Sequence, residues 1–436
     1  MNLDKFTSYN TALKYLFELE RAGIKYDLSN IRKLLKILGN PHKNFKSVHI
    51  AGTNGKGSVS SIINSVLIEK GIRTGLYTSP HILDFRERIL VNGKFISKKF
   101  ILGFVNRMYD EIEKIKPSFY EVTTAMAFEY FSFMKMEISV IETGLGGRLD
   151  STNIITPLIS VITGISIDHI EYLGSSISSI TREKGGIIKK KVPVVTGNLK
   201  PVSKKILSSI ALEKNSPIYN SFKEKNYEIA ERTETGFYFT LNKKKERYFF
   251  PVIGDYQIEN ICTAVNTLKI LKDTYGIAVD SDILKKGFQN IKINSGYKGR
   301  FEIVSEKTSD SPKLITDISH NVQGIKNIEN NLKYFKFDKA VIIFGMMNDK
   351  NYKDCILELK RLNHHVIFTK PEYSRSAKPE DLYNVIKGNK EKFDHRKNFK
   401  EAYELALSMT KKNDLILITG SFFLVSDFLR LLNTLK

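Results

Sequence analysis

Cysteine is nearly absent from this 436-residue chain: Cys262 and Cys355 are the two present. They are too few for a disulfide framework or a cysteine metal cluster. No apolar run approaches the roughly eighteen residues that a membrane-spanning helix needs. The opening MNLDKFTSYN lacks the basic-then-apolar layout of a secretory signal. These absences predict a cytoplasmic protein without a membrane partner. Acidic residues are also short, 47 against 68 Lys and Arg, which leaves a net charge of +21. That charge raises nucleic acid as a partner. No helix-turn-helix, RNA-recognition or zinc-finger signature accompanies it, however. The lysines are scattered through amphipathic stretches such as residues 31–38, and the short runs at 189–191 and 243–245 fall in expected loops and read as solvated faces. No nucleic-acid partner is therefore expected; a basic surface also suits a substrate carrying several carboxylates.

What is present is the material of a globular protein, 42% hydrophobic and 26% charged. Its length suggests two or three domains. The most informative stretch is Ser47-Val-His-Ile-Ala-Gly-Thr-Asn-Gly-Lys-Gly-Ser58. It reads as a strand, a glycine-rich turn and a helix start, the geometry in which backbone N–H groups and a lysine cradle phosphates. Val59, Ile62, Ile63, Val66 and Leu67 then recur on one helical face. Gly52, Gly55 and Gly57 allow a tight turn and close approach to an anion. Lys56 would neutralise terminal phosphates, and Ser58 would offer a hydroxyl to magnesium. The spacing departs from G-x-x-x-x-G-K-[ST], since the first glycine would fall at Ile50 and Gly57 separates the lysine from the serine. Glycine-rich turns between strand and helix are common; here loop, strand and helix agree on a nucleoside triphosphate site.

Several β-branched runs end in polar turns. Residues 138–141 lead into Glu142-Thr-Gly-Leu-Gly-Gly-Arg148, residues 158–163 into Gly164-Ile-Ser-Ile-Asp-His169, and residues 192–196 into Gly197. Continuous apolar strands between helical stretches predict a parallel, doubly covered sheet, with ligands beyond the strands' carboxyl ends. The glycine-rich loop, Glu142 and Asp168-His169 would then converge on one edge. Glu142 is a hard oxygen donor suited to Mg²⁺. By themselves, His169 reads as a packed or hydrogen-bonding histidine and Lys184 as a surface lysine. Ser79, in Thr78-Ser-Pro-His81, adds a hydroxyl. A second strand series at 313–317, 340–344, 365–369 and 414–419 describes a smaller α/β domain without its own phosphate loop. Residues 293–299 read as the linker, and residues 236–241 and 247–250 as a β-hairpin flanking the first domain.

Taken in order, these motifs resemble the folylpolyglutamate synthase/dihydrofolate synthase family, the folate branch of the Mur ligases. The resemblance rests on His49–Val59, Ser79–Ile89, Glu142–Asn153, Asp168-His169, Glu183–Lys189, Gly254–Asn260, Gly299–Glu302, Asp317–Asn321 and Gly420-Ser421. It implies an α/β fold with a P-loop NTPase-like N-terminal domain over 1–295, hairpin included, and a smaller Rossmann-like C-terminal domain over 296–436. It implies an ATP-dependent ligase that adds L-glutamate to dihydropteroate, to reduced folates or to both, acting as a monomer on small molecules. By the resemblance, Gly52, Thr53, Asn54, Gly55, Lys56, Gly57 and Ser58 bind ATP, joined by Asn260, Arg300, Asp317 and His320. Ser58, Ser79, Glu142, His169 and a carbamylated Lys184 would hold two magnesium ions, and His81 and Asp150 would serve the substrate. Lys56, Lys184 and His320 are the expected catalytic groups. Tyr297-Lys298 stands where Trp-Pro is common, and Ile318-Ser319 replaces a usual Gly-Ala. Another Mur-type amino-acid ligase is the nearest alternative. A basic ATPase acting on nucleic acid explains the charge and Lys56 but not the later motifs in their order.

Overall fold

The computed structural model describes residues 5–22, 27–222, 227–241, 245–306, 311–388 and 390–435. The first four residues of the opening segment, and Lys243 and Lys244 of the lysine-rich turn, lie outside them. The chain divides into two compact units: Met1–Pro80, Arg86–Lys225 and Ile258–Tyr297 in one, His81–Phe85, Asn226–Gln257 and Lys298–Lys436 in the other.

Among the described residues the first unit is built on eight strands: β1 (Lys46–Ala51), β2 (Thr74–Tyr77), β3 (Ile89–Val91), β4 (Lys94–Phe95), β5 (Ile138–Glu142), β6 (Ile159–Ile162), β7 (Val194–Thr196) and β8 (Ile218–Asn220). Their order is β4-β3-β2-β5-β1-β6-β7-β8, parallel from β2 to β8 with an antiparallel edge at β3 and β4. β1, β2, β5, β6 and β7 are buried throughout, apart from Lys46. That is the signature of a sheet covered on both faces.

The helix Lys56–Glu69 follows β1 through the glycine-rich turn. Its five expected apolar residues are buried, as are Ser60, Ser61, Asn64 and Ser65 on the remaining sides. Here the simple amphipathic expectation gives way to close packing. Ser65 Oγ donates to Gly287 O at 2.6 Å and Asn64 Nδ2 to Asn294 O at 2.9 Å. Part of the stretch read as a linker is accordingly the short helix Ile291–Ser295, packed against this helix. Small hydroxyl and amide side chains let the backbones approach and carry their hydrogen bonds into the interface.

The second unit holds a six-stranded sheet of β12 (Glu302–Ser305), β13 (Lys313–Thr316), β14 (Ala340–Phe344), β15 (His365–Phe368), β16 (Phe393–His395) and β17 (Leu415–Thr419), in the order β12-β13-β17-β14-β15-β16. All pairs are parallel except β12 with β13. The expected hairpin is part of a three-stranded antiparallel sheet, β9 (Tyr227–Thr233), β10 (Gly236–Leu241) and β11 (Arg247–Phe250). It belongs to the second unit, not to the first as expected. The reason is visible in its side chains. Glu234 pairs with Lys313, and Asp255 accepts hydrogen bonds from Arg232 and from Tyr334. A single boundary at 295/296 therefore does not describe the chain, because residues 81–85 also belong to the second unit, where Ile82 enters the core with Leu314, Ile318 and Ile416.

Candidate active site

Strand register puts the first unit's polar loops at one edge. Ile50 stands beside Glu142, Ala51 beside Ile162, Ile162 beside Thr196 and Tyr77 beside Ile141. The residues that follow, Gly52, Thr163, Gly197 and, two beyond Tyr77, Ser79, therefore emerge together. The loop after β6 is stitched to the glycine-rich turn. Thr53 N and Asn54 N donate to Gly164 O at 2.7 and 3.3 Å, Thr53 Oγ1 donates to Ser166 O at 3.0 Å, and Thr163 Oγ1 donates to Asn54 O at 2.8 Å. At Gly52 a Cβ would lie 1.9 Å from Thr163 Oγ1. Gly55 sits at φ +89° just before the helix, where a Cβ would lie 2.2 Å from Asn260 Oδ1. Both positions demand glycine, one through space and the other through conformation as well.

Lys56 Nζ lies 3.9 Å from Glu142 Oε1 and 3.4 Å from Thr53 O. The Glu142 carboxylate is buried at the end of β5, and a Cβ on Gly57 would stand 3.7 Å from its Oε2. Lys184 is not a surface lysine: it is 4% exposed and donates from Nζ to Gly52 O at 2.8 Å. Ser58 is buried, and its hydroxyl shares a 2.6 Å hydrogen bond with Tyr297. His169 adopts φ +50° at the start of a short helix, half-exposed, with Asp168 Oδ2 3.9 Å away. Ser79 is half-buried two residues past β2.

Asp150 is buried and its carboxylate serves its own loop. It accepts from Thr152 N at 3.0 Å, Thr152 Oγ1 at 2.5 Å and Leu145 N at 2.9 Å. Burial pushes this carboxyl up, and those donors pull against the shift. Tyr120, stacked on Tyr77 at 6.0 Å, packs so closely on Gly144 that a Cβ there would meet its ring at 2.6 Å. Lys189, expected on a solvated face, is instead partly buried and donates to Asn153 O at 2.7 Å. Burial pushes its ammonium down to about 8, with Arg32 and Lys214 adding to the shift.

The second unit carries the remaining predicted residues. Asp317, buried after β13, accepts from Phe301 N at 3.2 Å and Ser319 N at 3.0 Å. His320 Nδ1 lies 3.0 Å from Ile318 O, and its ring lies 5.5 Å from that of Phe422. Arg300 is half-buried next to Phe301, whose N–H Asp317 holds, and the His81 ring packs edge-on to Phe85 at 6.2 Å.

The Mur ligase middle domain matches residues 50–268, and the Mur ligase glutamate ligase domain matches residues 299–422. The dihydrofolate synthase/folylpolyglutamate synthase of Bacillus subtilis is 31% identical over 434 residues, covering 97% of this chain and 98% of its own. The chain belongs to the Mur ligase family, in its folylpolyglutamate synthase/dihydrofolate synthase branch. Two further members are similar along their length. The folylpolyglutamate synthase of Lacticaseibacillus casei is 30% identical over 96% of this chain and 97% of its own. A Mycobacterium tuberculosis folylpolyglutamate synthase, solved with ADP and AMPPCP, superposes with a TM-score of 0.84 at 26% identity, covering 97% and 98% of the two chains.

Within this Mur ligase frame, Tyr297, Thr163 and the buried pair His49 and Thr152 are residues to which the motifs assigned no role. Tyr297 had a signal, because it occupies a position where the family commonly has another aromatic. Thr163 and Thr152 had none, since a threonine at a strand end or in a loop is ordinary. The donor set fits magnesium. Among the described residues no group of three or more His, Cys, Asp or Glu is arranged to hold a metal. One buried carboxylate at a strand end suits an ion that takes one or two carboxylates and completes its shell with water and substrate phosphates.

Proposed function

We propose that this ligase joins L-glutamate to dihydropteroate and to reduced folates, cleaving ATP to ADP and phosphate. The observation that carries the reading is the glycine-rich turn between β1 and its helix, with Lys56 beside the buried Glu142 carboxylate. Backbone N–H groups at a helix start and a lysine form a ready phosphate site. Support also comes from the relatives, whose names pair dihydrofolate synthase with folylpolyglutamate synthase in one case and give folylpolyglutamate synthase alone in another.

The γ-phosphoryl group of ATP passes to a carboxylate oxygen of the pteroate or folate, giving an acyl phosphate and ADP. The amino group of L-glutamate then attacks the acyl carbon, the amide forms and phosphate leaves with the bonding pair. Lys56 offsets charge on the transferring group, and the turn from Gly52 to Ser58 holds the nucleotide; this is positioning and electrostatic work. Glu142, Ser58, Ser79 and His169 are the residues that would hold magnesium, which supplies charge neutralisation on the phosphates. Lys184 braces the turn through Gly52. A carbamate on Lys184 keeps one N–H on Nζ, so that contact is compatible with the modified form. Asp150 serves the pterin through the loop it ties together. Asn260, Arg300, Asp317 and His320 are the further residues that the family resemblance assigns to ATP.

The test is ATP-dependent product formation from L-glutamate with dihydropteroate and, separately, with tetrahydrofolate, read by mass spectrometry. Products from both are expected. Product from tetrahydrofolate alone reduces the assignment to polyglutamylation. Neither product, with ADP release dependent on a UDP-sugar precursor, moves the protein to another Mur ligase branch.

A further inference from the structure

The strand that leads into the glycine-rich turn carries His49, which has no exposed surface. Its Nε2 lies 2.8 Å from Thr152 Oγ1, which in turn lies 2.5 Å from Asp150 Oδ1. A threonine hydroxyl has one proton to donate, and a carboxylate can only accept. The Thr152 proton therefore goes to Asp150, and the histidine donates to Thr152 from Nε2–H. Nδ1 is then the bare nitrogen, in agreement with its being buried without a hydrogen-bond partner. The order of donation along the three residues is fixed.

The far end of this relay shapes a loop. Asp150 caps the turn Ser151–Ile154 through Thr152 N and gathers Leu145 N–H from the other side. Gly144 next to it is clamped by the Tyr120 ring. His49 is thus the point at which residues 144–154 are fastened by a side chain to β1.

We propose that His49 is a positioning residue for the pterin: through Thr152 and Asp150 it fastens loop 144–154 to the strand that carries the glycine-rich turn. This rests on the reading of Asp150 and its loop as part of the pterin site. What matters is the donor at Nε2, not the ring. His49→Gln keeps an N–H near that position, His49→Leu removes it, and Thr152→Val removes the hydroxyl in the middle.

The experiment measures KM for dihydropteroate and for ATP, with thermal melting, in the three single variants and in His49→Leu/Thr152→Val. Loosening a loop by a fraction of an ångström is expected to raise the dihydropteroate KM about tenfold in H49L and T152V. ATP KM stays within about twofold, H49Q resembles the wild type, and the double variant is no worse than either single because both cut one relay. Unchanged dihydropteroate KM in H49L overturns the proposal. So does an equal rise in both KM values, or a fall in melting temperature and turnover that glutamine does not rescue, either of which assigns His49 to packing. Wild-type protein that forms no product from dihydropteroate overturns the pterin reading itself; the variants are then read with tetrahydrofolate, and the relay stands only if its KM shows the same split.

Discussion

The two parallel sheets end in loops of different kinds. After β1 the backbone does the presenting, as Gly52 and Gly55 turn where no side chain fits and lead straight into a helix start. After β13 a side chain does it: Asp317 draws Phe301 N–H and Ser319 N–H onto its own carboxylate. The second sheet has close-approach glycines too, but Gly420 is required because Gly345 O and the Phe344 ring lie within 3 Å of where its Cβ would stand. That glycine serves packing between strand ends. A doubly wound sheet supplies a strand-end edge in either case; what crowds the glycine decides whether the edge offers backbone donors or side chains.

The comparison breaks most sharply at Lys56. Lys56→Ala is expected to lower kcat by about 10²–10³-fold, in line with removal of one preorganised charge from a transition state, with circular dichroism unchanged. Near-normal turnover would remove the first unit's claim to the chemistry. Next comes Asp317→Ala, which strands two backbone N–H groups. A loss of about 2 kcal/mol is expected from the unsatisfied donors, seen as faster hydrogen exchange confined to residues 299–320. Gly55→Ala sharpens the contrast further. It places a side chain in the left-handed region at a cost of about 1–2 kcal/mol and displaces the Asn260 amide, so the ATP KM should rise about tenfold. Gly71→Ala is the matched control, since Gly71 has φ +85° but nothing within 4 Å of its Cβ position. It should lose stability alone.

The last effect is a pH dependence. Burial, with the Lys189 charge adding to it, holds the His49 imidazole at about 3, against about 6.5 in an unfolded chain. The unfolded state binds the extra proton between those values. Stability is therefore whole above about pH 6.5 and falls as the pH drops, by up to about 1.4 kcal/mol per unit from this group. Urea melts at pH 7 and 5 should show a loss about 2 kcal/mol smaller in His49→Gln than in the wild type. No difference would mean that the ring is protonated or exposed in the folded protein.

Much of this was legible in the residues, and the limits have physical causes. The strands read at 138–141, 158–163 and 414–419 were readable because parallel strands buried on both faces are continuous β-branched runs. The convergence of the glycine-rich turn with Glu142 followed from the strand-end rule. Lys184 and Lys189 were not readable as buried, because their donors go to backbone carbonyls of Gly52 and Asn153, which carry no sequence signal. Nor was the place of the antiparallel sheet. Its side-chain ties run to Lys313 and, through Asp255, to Tyr334, far along the chain, and long-range pairs leave no local period to detect.

The division of the chain also constrains how the protein can be taken apart. Its path enters the second unit after Pro80, leaves after Phe85, enters again after Lys225, leaves after Gln257 and enters a third time after Tyr297. A gene fragment encoding 298–436 would leave behind Ile82, whose side chain comes within 2.7 Å of where a Cβ on Gly299 would stand, and Glu234, the partner of Lys313. One encoding 1–297 would carry those same residues with nothing to fold upon. Neither half is a module that recombination could shuffle intact, so the contributions of the two units are separable by point substitution and not by truncation.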